Sequence, residues 1–328
     1  MIKVGLVGLG GVAGIHICAY DRIENATIVA AVDALGEAAK SYRLANDRGI
    51  KLYTDFEKML ECEELDLIDI CVPTHLHKEL SVKALERGLH VICEKPMAAS
   101  YSEACLISEA AKKSGKLFMT AHVVRFMRPY KYLKSVIESG ELGKLVNLKL
   151  KRLSAIPAWR RTKLTTDAKA NGGVMLDLSI HDIDFTYSVL GMPDGICGVY
   201  HPVNEEDMND YFSANLTYGG ATVNIDGGFY NAEIPFSAAY HAIFENGYIE
   251  CMADGTVTVC GEKVDIKDEI YPDECDKVNV SLSSAFVDEL EYFVNCVLRG
   301  EQPELALPES TASSILLTEK IIEKTKKI

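Results

Sequence analysis

The sequence predicts an α/β protein: an N-terminal doubly wound parallel sheet of the Rossmann type, then an α+β domain with an open, mainly antiparallel sheet. Three observations carry this reading. Over the first 120 residues, short apolar runs alternate with helical patterns, as in sheets covered on both faces. A glycine-rich turn, GLGGVAG (8–14), joins the first run to the first helix. After Gly143 the pattern becomes an alternation of apolar and polar residues, the mark of strands with one wet face.

The elements follow in order. IKVGLVG (2–8) reads as a buried strand, a helix runs from about Val12 to Arg22, and TIVAAVD (27–33) is the second strand. Helices around 36–47 and 54–62 flank a short strand at 51–53. LDLIDICV (65–72) is a further strand, followed by a helix near 76–87, the strand LHVICEK (89–95), a helix at 101–114 and the strand KLFMTAH (116–122). Beyond Gly143, KLVNLKLKRL (144–153), YFSANLTY (211–218), ATVNIDGGFY (221–230) and the stretch from about 236 to 267 read as antiparallel strands. Gly219-Gly220, Asn246-Gly247 and Asp254-Gly255 supply the turns between them,. GGVMLDLSIHDID (172–184) opens a helix expected to run unbroken to about Leu190, where Gly191 stops it,. Near the end, Phe286, Leu290, Phe293, Val294 and Val297 form one apolar stripe, and a last helix spans about Pro308 to Lys326,. Residues 1–122 are thus expected to bind a dinucleotide. Residues 123–328 are expected to bind substrate and to oligomerise, with the C-terminal helix able to pack back on the first domain.

Overall totals remove several function classes. The formal net charge of −14 repels phosphate backbones and anionic membranes, so nucleic acid is excluded as a partner. No run of about 20 apolar residues spans a bilayer, and the glycines in MIKVGLVGLGGVAG spoil it as a secretion signal,. A cytoplasmic protein is the expectation. The ten cysteines include no CxxC pair and sit mostly in apolar runs, which fits buried thiols better than bridges. No HExxH or other metal spacing occurs, so no metal is expected.

The glycine turn fits G-x-G-x-x-A through Gly8, Gly10 and Ala13. Gly8 makes the tight turn, Gly10 admits backbone to a pyrophosphate, and Ala13 lets helix and strand lie close. The helix start at Gly11 and Val12 offers free N–H groups to phosphate. Asp33 ends the second strand, placed to accept bonds from both hydroxyls of an adenosine ribose. The next residues are Ala34, Leu35 and Gly36, with no arginine to meet a 2′-phosphate. NAD is therefore expected over NADP. A methyltransferase also combines a glycine loop with an acidic second strand, so that class stays open on these residues alone.

Two further segments lie at carboxyl ends of strands, where open α/β sheets bind ligands. They are VPTHLH (72–77), with Pro73, Thr74 and His77, and EKP (94–96), with Glu94 and Lys95. A lysine between a buried strand and Pro96 can hold developing negative charge on a substrate oxygen; alone, it would more often be a surface lysine paired with Glu94.

The order of GLGGVAG, VD, PTHLH, ALERGLHVICEKP and GGVMLDLSIHDID resembles the Gfo/Idh/MocA family of oxidoreductases. The resemblance covers nearly the whole chain. It implies a Rossmann domain followed by a domain on an open antiparallel sheet. It also implies oxidation of a sugar or cyclitol hydroxyl, or reduction of the ketone, with NAD(H) or NADP(H). Lys95 matches the lysine of the EKP motif, Asp177 the active-site aspartate and His181 the active-site histidine. The peptide before Pro96 is often cis in relatives. The IHDID form looks like the inositol-dehydrogenase branch, where the residue after the histidine, here Asp182, can touch substrate. Thr74 and His122 stand where relatives often carry asparagine, at positions that border nicotinamide and substrate.

On one unbroken helix, Asp177, His181 and Asp184 would share a face. His181 would take the hydroxyl proton, Asp177 would orient it, and Lys95 would steady the alkoxide-like transition state. His122, Arg125 and Asp182 are candidates for substrate contact, with Asp182 bonding backbone or Arg125 otherwise. Trp159, Arg160 and Arg161 are expected in a loop that could roof the site, and Tyr230 and Asn231 at a strand end that could line it. His16, His90, His201 and His241 show no partner pattern and read as ordinary. The open sheet should pair two copies of the chain, giving a homodimer or homotetramer. Two rivals remain: a non-catalytic dinucleotide sensor of the same fold, and a redox-neutral glycosidase that keeps NAD bound.

Overall fold

The computed structural model describes residues 1–157, 173–203, 208–272 and 281–328. The chain divides into two compact units: Met1–Ala98, Ser102–Phe126 and Glu269–Thr311 form the first, and Ala99–Tyr101, Met127–Asp268 and Ala312–Ile328 the second.

The first unit is built on a six-stranded parallel sheet in the order β3-β2-β1-β4-β5-β6. Its strands are β1 (Ile2–Val7), β2 (Ala26–Val32), β3 (Lys51–Tyr53), β4 (Leu67–Ile70), β5 (His90–Glu94) and β6 (Phe118–Ala121). All five neighbouring pairs run parallel. Their near-continuous apolar runs fit, because helices cover both faces. These are α1 (Gly11–Tyr20), α2 (Tyr42–Asp47), α3 (Phe56–Cys62), α4 (His77–Glu86) and α5 (Tyr101–Ser114), although Tyr101 itself counts with the second unit. The helix expected at 36–47 is shorter: Gly36–Ala38 makes one tight turn before α2 starts. In α1, every residue from Ala13 to Tyr20 is buried. One covering layer comes from late in the sequence, since α9 (Ser284–Arg299) packs on α1 with Phe286, Leu290 and Phe293 buried.

The second unit is built on a nine-stranded sheet, β14-β13-β12-β11-β7-β10-β9-β8-β15. The strands are β7 (Leu145–Ala155), β8 (Gly195–His201), β9 (Asp210–Tyr218), β10 (Ala221–Tyr230), β11 (Ser237–Phe244), β12 (Gly247–Cys251), β13 (Val257–Val259), β14 (Glu262–Val264) and β15 (Thr325–Lys327). The sheet is mixed rather than wholly antiparallel, since β7 pairs with β10 in parallel and β8 with β15 in parallel. Alternating burial reveals a one-sided strand but is blind to its direction. The last helix, α10 (Pro308–Lys324), stops before Thr325, not at Lys326. There the edge strand β8 offers unpaired backbone groups that β15 satisfies. Helices α6 (Arg128–Ser139), α7 (Gly173–Asp177) and α8 (Ile180–Leu190) complete this unit.

The stretch from Gly173 to Leu190 is two helices, not one. Asp210 at the start of β9 accepts the Val174 N–H at 2.9 Å, capping α7,. The ladder then slips. Ser179 N–H reaches back five residues to the Val174 carbonyl, and both Asp182 and Ile183 N–H groups bond the Ser179 carbonyl. The break sits against β10. Ser179 is fully buried and its hydroxyl sits against the backbone of Gly227 in β10. A Cβ on Gly227 would lie 1.9 Å from Ser179 Oγ and 2.6 Å from Phe212. Gly227→Ala should therefore destabilise the protein by about 1–3 kcal/mol, read as a lower urea midpoint; an unchanged midpoint would show the break to be set by local sequence instead.

Candidate active site

The first unit supplies the glycine turn. Gly8 has φ +92°, and a Cβ there would meet the Cys71 carbonyl oxygen at 2.5 Å, so only glycine fits. Gly10 caps α1, and the one atom near its missing Cβ is that same oxygen, 3.9 Å away. The side that a phosphate would approach is open. Ser41 pins the turn, its hydroxyl donating to the Gly10 carbonyl at 2.8 Å and its N–H to the Leu9 carbonyl at 2.8 Å. Gly11, Val12 and Ala13 form the first turn of α1, whose N–H groups have no partner within the helix,.

Asp33 follows β2. Its two carboxylate oxygens accept N–H bonds from Leu9 and Leu35, both at 2.7 Å, which fixes the group while leaving lone pairs on each oxygen. The carboxylate opens onto a cleft lined also by Leu9, Glu37, Tyr42, Tyr53 and Thr54. An open glycine turn, a helix start and a fixed carboxylate beside an aromatic-lined cleft fit a dinucleotide.

Pro73 and Thr74 begin a short turn after β4, and His77 starts α4. Both ring nitrogens of His77 are engaged by backbone: Nδ1 lies 2.8 Å from the Pro96 carbonyl and Nε2 2.8 Å from the Val72 carbonyl. Burial lowers the His77 pKa, against the pull of those two carbonyls. The side chain thus ties the turn after β4 to the turn after β5. In the latter turn, Lys95 and Pro96 are joined by a cis peptide.

Glu94, ending β5, is held from the core. Its Oε1 lies 3.1 Å from His16 Nε2, and its Oε2 accepts the Lys95 N–H at 3.1 Å. His16 Nδ1 lies 2.8 Å from Asp69 Oδ2, and the Cys71 thiol packs beside both. Burial alone would lower the His16 pKa, but Asp69 and Cys71 outweigh it and hold the ring well above its usual range. Burial would likewise raise Glu94, but His16 and Lys95 bring it below the usual carboxylate range. The sequence reading passed His16 over as ordinary. The available signal was a lone titratable residue in an otherwise apolar helix, opposite a carboxylate inside the strand LDLIDICV.

His122 is fully buried after β6. Arg125 donates from Nη1 to the Leu305 carbonyl at 2.6 Å and from Nη2 to Ser310 Oγ at 3.1 Å. It braces the segment that leads into α10.

The second unit holds the acid–histidine stretch. Asp177 closes α7 and His181 is the second residue of α8, so the expected continuous face of Asp177, His181 and Asp184 does not form. From 173 to 186, Asp177 and His181 are nevertheless the two residues that are not buried. Asp184 is fully buried and accepts the Ser314 hydroxyl at 2.7 Å. Asp182 bonds neither backbone nor Arg125 in the way expected. Arg152 of β7 grips it with two bonds, Nε to Oδ2 at 3.0 Å and Nη2 to Oδ1 at 2.8 Å, while also donating to the Tyr130 hydroxyl at 3.1 Å. Arg152 is 4 % exposed and Asp182 1 %, so this carboxylate serves the core of the unit. Arg152 was missed because it reads as the polar phase of an alternating strand. Tyr230 stacks on Tyr211, which stacks on His201. Trp159, Arg160, Arg161 and Gly172 lie outside the described residues. Among the described residues, no helix is long and apolar enough to cross a membrane.

The six-stranded sheet with its glycine turn and fixed Asp33 defines a dinucleotide-binding α/β protein. Comparison with known proteins gives the family. Residues 2–122 match the NAD-binding Rossmann domain of the Gfo/Idh/MocA oxidoreductases and residues 130–264 match that family's C-terminal domain; the chain belongs to the Gfo/Idh/MocA family. It is similar to glucose-6-phosphate 3-dehydrogenase of Bacillus subtilis, 33 % identical over 193 residues, covering 57 % of this chain and 53 % of that protein. It is also similar to myo-inositol 2-dehydrogenase of Thermotoga maritima, 27 % identical over 191 residues, covering 58 % of this chain and 55 % of that one. The chain thus spans about half the length of these curated relatives. Its fold matches the crystal structure of an oxidoreductase from Agrobacterium radiobacter in complex with NAD+, L-tartaric acid and magnesium. That match has TM-score 0.83 at 20 % identity and covers 98 % of this chain and 96 % of the other.

The His16 cluster makes stability depend on pH. The groups facing the ring are Asp69, Cys71 and Glu94, with Tyr20 and Glu289 close behind. The folded ring keeps a proton that the unfolded chain releases near about pH 6.5. Its contribution is therefore complete below that pH and is lost as pH rises through the folded value. The melting temperature of wild type should exceed that of His16→Gln most at pH 6–7, with the gap narrowing toward pH 9. A gap independent of pH would show that the ring does not titrate in this way.

Proposed function

We propose that the protein is an NAD-dependent dehydrogenase acting on a secondary hydroxyl, or the corresponding ketone, of a sugar or cyclitol. The observation that carries this reading is a contrast in burial: from 173 to 186 every residue is buried except Asp177 and His181, which are part-buried. The fixed turn that presents Lys95 and the names of the curated relatives support it.

When bound, nicotinamide supplies the hydride acceptor or donor. His181 takes the hydroxyl proton on an imidazole nitrogen, as a general base. Asp177 orients the imidazole. Lys95 Nζ donates a hydrogen bond to the substrate oxygen and stabilises the charge that grows there. Asp33, with Glu37 beside it in the same cleft, favours a ribose 2′-hydroxyl and repels a 2′-phosphate, hence NAD over NADP. Copies of the chain pair through the open face of the nine-stranded sheet, as a cytoplasmic homodimer or homotetramer.

NADH formation across inositol isomers and common sugars, repeated with NADP, tests this reading. Net NADH should accumulate with at least one polyol and NAD. Its absence throughout the panel, or turnover of a glycoside without net NADH, would replace the dehydrogenase with a sensor or a redox-neutral enzyme. His181→Ala should lower kcat by about 10²–10⁴ with NAD affinity little changed, as titration calorimetry would show. Asp33→Ala should reduce the NAD/NADP ratio of kcat/KM by about tenfold or more, and an unchanged ratio would remove Asp33 as the selector.

A further inference from the structure

We propose that His16 is a positioning residue for Lys95: the chain Asp69–His16–Glu94 fixes the backbone from which the lysine rises. The inference rests on the reading of Lys95 given above and adds a residue to it.

The geometry is a relay of four groups. His16 Nδ1 meets Asp69 at 2.8 Å and its Nε2 meets Glu94 at 3.1 Å. Carboxylates only accept hydrogen bonds, so the ring can satisfy both partners only by donating from both nitrogens, as an imidazolium. The other oxygen of Glu94 takes the Lys95 N–H at 3.1 Å. On the far side of Lys95, His77 Nδ1 lies 2.8 Å from the Pro96 carbonyl. Two buried histidines thus grip the turn on either side of one lysine.

An all-apolar cluster would serve the stability of this core as well as the ionic one does. Helix α1, GVAGIHICAY, is otherwise apolar, and Phe286 of α9 packs near the ring, with centroids 6.5 Å apart. Replacing the ring and both carboxylates together by apolar groups is often neutral or favourable, whereas removing the ring alone leaves two buried carboxylates uncompensated. Both carboxylates are buried with the ring, Asp69 at 0 % and Glu94 at 8 % exposure. What the cluster achieves instead is directional: it fixes the end of β5 where Lys95 begins. His16, Asp69 and Cys71 also lie close enough to suggest metal ligands. However, the 2.8 Å approach of ring to carboxylate is a hydrogen bond, and burial pushes the Cys71 thiol far up, so a proton joins them.

The test compares His16→Leu, His16→Gln, Glu94→Gln and the double variant His16→Leu/Glu94→Gln with Lys95→Met as reference. His16→Leu should lower kcat by about 10- to 100-fold, while NAD affinity stays within about threefold. His16→Gln, which still donates, should recover part of the loss. Because both residues act through one chain, the double variant should be no worse than the poorer single one. Nitrogen-15 spectra of wild type should show both ring nitrogens of His16 protonated at pH 7. Wild-type kcat in a folded His16→Leu, additive losses in the double variant, or stoichiometric metal in the purified protein would each overturn the proposal. Should His16→Leu not fold, Glu94→Gln alone decides, with wild-type kcat overturning the relay. Should Lys95→Met keep full turnover, the reading of Lys95 has failed, which is distinct from an inactive Lys95→Met beside a fully active His16→Leu.

Discussion

Asp69 and Glu94 end up in the core of the first unit because one imidazole stands between them. Remove the ring and two carboxylates face each other in a medium that cannot solvate either, a cost several times that of an ordinary lost hydrogen bond. With the ring in place, the carboxyl ends of β4 and β5 and the start of α1 become one object. Those three chain ends also carry the glycine turn, the PTHLH turn and the EKP turn. The edge that carries the three turns is therefore organised from behind, by buried polar groups.

The second unit solves a similar problem with different chemistry. Arg152, from the middle of the sheet, meets Asp182 in a two-bond fork and reaches Tyr130 with what remains. A guanidinium keeps its charge under any burial, so this pair needs no proton to stay closed. It ties the first turn of α8 to β7. Asp182, Ile183 and Asp184 are committed inward, while His181, in the same first turn of α8, stays part-buried.

Much of this was legible in the sequence. The glycine turn, the six strands of the first sheet and the terminal Asp33 follow from local patterns, since buried strands and phosphate turns have strong compositional signatures. The family resemblance pointed to Lys95, Asp177 and His181. What was hidden depended on partners far away in the chain. His16 finds its carboxylates 53 and 78 residues later, Arg152 finds Asp182 30 residues on, and Ser179, at the break between α7 and α8, packs on a glycine in β10. Strands β8 and β15 were missed for the same reason, because pairing at a sheet edge is decided by the neighbour,.

The position of α9 has a consequence for biosynthesis. Helix α1 is made first, but its cover arrives some 260 residues later, with the segment Glu269–Thr311. A ribosome must therefore release the chain past Arg299 before the N-terminal sheet can close its second layer. Until then an apolar helix waits half-dressed, at the stage when nascent chains are most open to aggregation and to chaperones.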